Sequence, residues 1–149
     1  MRIVGAGLVV ALLSGSALAQ PVVHSLDAVE ARQGVASDGS QIPVPVFTCP
    51  SIPGARCAPA AIPLPPAGDP TYVSFFGTGF RGANPVNVVC LINGVRVPVE
   101  YAGPQSAPGL DQINVRLLPE VRGQPPLSFG IVTIMIDGVP ANAARLQFR

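Results

Sequence analysis

The chain has 149 residues, of which 48% are hydrophobic and 11% charged, and its formal net charge is +1. That length fits one domain, and that composition excludes a disordered chain and a charged coiled coil. All nine basic residues are Arg, eight acids nearly cancel them, aromatics are 5% and Trp is absent; a nucleic-acid partner would find no basic stripe, and a stacking platform for single strands or sugars would have little to work with.

The first segment reads as an address. Met1-Arg2 supplies a positive charge, residues 3–13 are an apolar run, and Ser14-Gly15-Ser16 breaks it. Ala17-Leu18-Ala19 then offers the small residues that a signal peptidase reads, so residues 1–19 are expected to be a signal peptide cleaved between Ala19 and Gln20. The run is shorter than the ~20 residues of a membrane span, and no later stretch is long enough, so no span is expected after cleavage. The expected location is secreted, periplasmic or otherwise at the cell envelope, where disulfides persist.

Residues 20–40 read as an irregular N-terminal segment. Residues 25–31 could form a short helix with Ser25 as N-cap, although Leu26, Val29 and Ala31 make a poor apolar face. Asp38-Gly39 signals a turn. Residues 41–149 read as the folded domain. Ile42, Val44 and Val46 alternate with Pro43, Pro45 and Phe47, and two prolines place such a strand at a sheet edge. Cys49 and Cys57 flank a loop in which Pro53-Gly54 can reverse the chain, so a bridge between them is expected; the competing reading pairs Cys90 with one of them. Residues 58–70 are a Pro- and Ala-rich connection.

The strongest β pattern starts at Thr71. Tyr72 to Phe76 is a strand ended by Gly77-Thr78-Gly79, with Phe80 turning back over the core edge. Asn84-Pro85 marks a turn. Residues 86–92 are nearly all apolar and read as a strand buried on both faces, with Cys90 as a small hydrophobe. Asn93-Gly94 is the best hairpin signal, and Val95, Val97, Val99 and Tyr101 alternate with polar residues and Pro98 beyond it. Ile113, Val115 and Leu117 give the next strand, residues 128–136 a long buried one, Asp137-Gly138 a turn, and Leu146 and Phe148 the inward positions of a last strand. About seven short strands with regular turns predict an all-β, antiparallel, immunoglobulin-like β-sandwich.

Three ordered phrases carry a family resemblance. They are Phe75-Phe76-Gly77-Thr78-Gly79-Phe80-Arg81-Gly82, then Tyr101-Ala102-Gly103-Pro104-Gln105 with Pro108-Gly109-Leu110-Asp111-Gln112-Ile113-Asn114-Val115, and Asp137-Gly138-Val139-Pro140-Ala141-Asn142. Together with Asp38-Gly39-Ser40 and the paired-Cys loop, they make residues 38–148 resemble the Solibacter-type uncharacterised C-terminal domain family. The Gly-Thr-Gly-Phe turn is also similar to that of IPT/TIG domains. The resemblance implies a secreted bacterial protein and a sandwich fold, and brings no activity with it. Such domains usually close larger proteins, whereas here the domain follows a signal peptide almost directly.

The motif residues read as structural. Gly77, Gly79 and Gly82 let the backbone take positive φ or approach closely, and Thr78 can bond a turn amide. Gly109-Leu110-Asp111-Gln112 enters a strand, where Leu110 can seal the sandwich end and Asp111 can tie down loop amides. Tyr101 resembles a corner tyrosine, and Gln112 and Asn114 belong to the strand that follows. A Ser/His/Asp triad would need His24, the single His, which is expected in water. Glu100 and Asp111 could be paired carboxylates for glycan hydrolysis, but an Asp111 that anchors a loop and a Glu100 that faces water explain them more simply. Asp111, Asp137 and Asn142 could hold calcium, but no run such as D-x-D-x-D-G is present. Arg81 reads as a solvated charge. No catalytic residue, metal or cofactor is expected. The function expected is a non-catalytic module for interaction or spacing, with an envelope protein or glycan as partner; a carbohydrate-binding module and a glycan-active enzyme are the alternatives.

Overall fold

A computed structural model describes residues 24–34, 40–64, 70–122 and 129–149. The leader with its Ala19/Gln20 cleavage point, the turn at Asp38-Gly39 and the loop at residues 123–126 lie outside the described residues.

The strands are β1 (Ser25–Gln33), β2 (Ile42–Val44), β3 (Phe47–Thr48), β4 (Ala58–Pro59), β5 (Ala61–Ile62), β6 (Thr71–Thr78), β7 (Val88–Ile92), β8 (Val95–Val97), β9 (Val99–Pro104), β10 (Asp111–Arg116), β11 (Phe129–Ile136), β12 (Val139–Pro140) and β13 (Ala144–Phe148). Single 3-10 turns occur at Pro85–Asn87 and Pro119–Arg122. Among the described residues, seven strands have five or more residues, and the others are pieces of two or three. One sheet has the order β2-β1-β6-β10-β9, and a second has the order β5-β13-β11-β7-β8 with β12 also on β11. All pairings are antiparallel except β5 with β13. The fold is all-β.

The period-2 pattern of the sequence decides which faces meet. From the five-stranded sheet, Val73, Phe75, Ile113 and Val115 turn inward. Cys90, Ile92, Ile134, Ile136, Leu146 and Phe148 do so from the other, and all join one buried cluster. Phe80, just past β6, is 1% exposed and belongs to that cluster. β2 lies at a sheet edge, as Pro43 requires, and the proline-rich strand is interrupted at Pro45, beyond which β3 pairs with β4 in a separate two-stranded ladder.

Four expectations are corrected. Residues 25–31 are strand, not helix. A bulge between Leu26 and Ala28 shifts the β1 register, which lets both Leu26 and Val29 pack against the core. The folded domain therefore begins before residue 41, since β1 is an inner strand of its sheet. Residues 86–92 are not buried throughout: Val86 is 79% exposed in the 3-10 turn capped by the Asn84 side chain, and β7 then alternates, as does β11. Both have antiparallel neighbours in a sheet with one open face, where a β-branched or aliphatic side chain is tolerated outside. Finally, residues 95–101 are not one strand. Pro98 lacks an N–H for the ladder, and the chain passes there from β8 in one sheet to β9 in the other.

Candidate functional site

The motif segments meet at the end of β6. Asp111 opens β10 opposite Gly77 and is 3% exposed. Its Oδ2 accepts from Phe80 N at 3.1 Å, and its Oδ1 from Arg81 Nε at 3.0 Å. Arg81 Nη2 also donates to Leu110 O at 3.2 Å. Arg81 is thus no free solvated charge: its guanidinium closes over the carboxylate that holds Phe80 in place. Thr78 ends β6 and is exposed, as is Gly79. Leu110 is half-buried, and its carbonyl accepts from Gln105 N at 2.9 Å, closing the loop that contains Gly109.

Asn93 does more than turn a hairpin. Its Nδ2 donates to Val121 O at 2.9 Å and to Phe129 O at 3.2 Å, and its Oδ1 accepts from Ile131 N at 3.0 Å. Asn142 forms a similar clamp: Leu26 N donates to its Oδ1 at 2.5 Å, and its Nδ2 donates to Leu26 O at 3.0 Å. The Asn-Gly dipeptide marked the turn in the sequence, but nothing local marked either clamp.

Cys49 and Cys57 form a disulfide at the base of the short β3–β4 ladder, and Cys90 is free and buried. With a sequence separation of only 8, that bridge constrains the unfolded chain by about 2–3 kcal/mol. Burial pushes the Cys90 thiol from 9.0 up to about 12, which makes it a poor nucleophile. His24 is 7% exposed rather than solvated, because pairing of β1 with β6 starts at the next residue. Its Nδ1 is buried without a hydrogen-bond partner among the described residues, as is Thr71 Oγ1.

Asp111 turns toward the core, while Glu100 is exposed and paired with Arg116 at 3.3 Å; the two carboxylates do not share a cleft. Asp137 Oδ1 accepts from Asn87 Nδ2 at 2.8 Å, so Asp111, Asp137 and Asn142 each serve a different partner. Among the described residues, no three His, Cys, Asp or Glu side chains form a group able to hold a metal, and no helix is long and apolar enough to cross a membrane.

The remaining motif residues point outward. Tyr101 Oη donates to Pro104 O at 2.7 Å, a local corner bond. Gln112 Nε2 donates to Asn114 Oδ1 at 2.6 Å, and both side chains lie on the outer side of the five-stranded sheet with Tyr72 and Phe76. No protein-family model, curated protein or solved structure matches the chain.

Proposed function

We propose that the protein is an extracytoplasmic, non-catalytic β-sandwich module that binds or spaces other molecules at the bacterial cell envelope, of the kind represented by the Solibacter-type C-terminal domains. One observation carries this reading. Polar side chains of the motif segments and of the Asn93-Gly94 turn bond backbone groups of distant segments: Asp111 to Phe80, Asn93 to Val121, Phe129 and Ile131, and Asn142 to Leu26. Such bracing produces a rigid frame, which suits the presentation of a fixed surface. The Cys49–Cys57 disulfide supports an oxidising compartment, and the leader-like residues 1–19 support export. The separation of Asp111 from Glu100 disfavours the glycan-active enzyme.

The test is export and capture. The full chain, expressed with its own N-terminus in a bacterial host, is expected outside the cytoplasm with Gln20 as its first residue. Immobilised, it is expected to retain envelope material unaltered. Cytoplasmic retention of the unprocessed chain overturns the compartment, and chemical conversion of the retained material overturns the non-catalytic reading.

A further inference from the structure

Residues paired across an antiparallel sheet share a face, so the register fixes the outer neighbours. Tyr101 of β9 lies opposite Asn114 of β10, which lies opposite Ser74 of β6. Gln112 lies opposite Phe76, and Arg116 opposite Tyr72. Strands are about 4.8 Å apart and alternate residues along a strand about 7 Å apart, so the three aromatic side chains surround the amide pair within a patch on the order of 10 by 14 Å.

Tyr101 is held as a platform. A Cβ on Gly103 would meet the Tyr101 hydroxyl at 2.9 Å and Cζ at 3.2 Å, so the ring lies across bare glycine backbone. Its hydroxyl is anchored at Pro104 O, and the residue remains 38% exposed. The bond between Gln112 and Asn114 orients both amides. It leaves Asn114 Nδ2 as a donor and Gln112 Oε1 as an acceptor with no protein partner among the described residues. The charges beside them cancel: Arg32 pairs with Glu30 at 3.0 Å and Arg116 with Glu100 at 3.3 Å.

A fixed ring, half-buried aromatics, oriented amides and balanced charge match a ligand with apolar C–H faces, many hydroxyls and no net charge. The patch is longer along the strands than across them, which suits a straight chain of the kind that β-1,4 linkage gives. We propose that the outer face of the five-stranded sheet binds an uncharged, extended β-1,4-linked glycan, with Tyr101 as the stacking ring and Asn114 and Gln112 as the hydroxyl readers. This rests on the binding-module reading and names its surface and ligand. The opposite outer face has a different character: Val89, Leu91, Ile131 and Met135 are aliphatic, and the Phe129 ring lies under Arg145 at 5.3 Å.

The test titrates the exported, disulfide-bonded protein with chitohexaose and with cellohexaose by calorimetry, while tyrosine emission is followed in parallel. Saturable binding of at least one hexaose is expected. Tyr101→Ala and Asn114→Ala should each weaken it about tenfold, the value of one lost hydrogen bond or stacking contact. Tyr101→Phe keeps the ring and should stay within about threefold. Arg96→Ala, on the other face, should leave binding unchanged, and thermal denaturation verifies that each variant folds. Binding of neither hexaose overturns the proposal, as does binding that Tyr101→Ala and Asn114→Ala both leave intact. Capture of envelope protein without hexaose binding overturns the glycan and leaves the binding module standing. Binding accompanied by shortening of the hexaose upholds the glycan surface and overturns the non-catalytic reading.

Discussion

The hairpins β7–β8 and β11–β12 turn on the same local geometry. Asn93 and Asp137 have φ of 51° and 50°, and Gly94 and Gly138 both have φ of 79°, the left-handed pair that a tight two-residue turn needs. Their side chains differ in reach. Asn93 is half-buried and bonds the backbone at Val121, Phe129 and Ile131, and its own N–H donates to Ile131 O at 3.0 Å. Asp137 is exposed and its side chain accepts one bond, from Asn87. Turn type is thus a local property, whereas the bracing role depends on which segments the rest of the fold brings within reach of the turn.

If bracing rather than turn type sets the energetic weight, Asp111, which lies in neither turn, should behave like Asn93. Asp111→Ala removes a buried acceptor from Phe80 N and should cost about 3 kcal/mol in urea unfolding. Asn93→Ala should cost about 2 kcal/mol, because it strands backbone groups on two segments. Equal losses for Asn93→Ala and Asp137→Ala would abolish the contrast. Gly94→Val and Gly138→Val should each cost about 1–2 kcal/mol and match one another. A Cβ at either position meets nothing within 4 Å, so only the shared backbone strain acts. Asp137→Ala, at an exposed site, should cost less than about 1 kcal/mol.

An effect absent at neutral pH concerns Cys90, in the first arm of the Asn93 hairpin. Its folded-state value of about 12 lies above the ordinary 9.0, so the unfolded thiol ionises first as pH rises. Stability should therefore decline between pH 9 and 12, and Cys90→Ala should make that decline shallower. Alkylation without reductant should label nothing in the native protein and Cys90 alone in urea, as read by intact mass. Labelling of Cys49 or Cys57 would remove the disulfide from the account.

Much of this was legible in residues close together in the chain. The alternation in Tyr72 to Phe76 and Ile113 to Val115, and the turn pairs Asn93-Gly94 and Asp137-Gly138, follow from side-chain period and tolerance of positive φ. The Cys49–Cys57 loop could be read because Pro53-Gly54 folds it back. β1 could not be read as a strand: its bulge breaks the alternation, and only its last three residues pair with nearby β2, whereas its whole length pairs with β6, farther along the chain. The outer patch was equally hidden, since Tyr101, Asn114 and Ser74 become neighbours only through two registers.

The sequence by itself determined the all-β class, the tight turns, the edge position of the proline strand and the inward residues of the main strands, because each depends on backbone preferences and spacing within a few residues. Tertiary structure alone decided that Asp111 holds Phe80, that Asn142 holds Leu26 across a separation of 116 residues, and that three aromatic side chains share one outer face. A side chain's hydrogen-bond partner is set by what the packed sheets place within about 3 Å of it, and no local pattern encodes that distance.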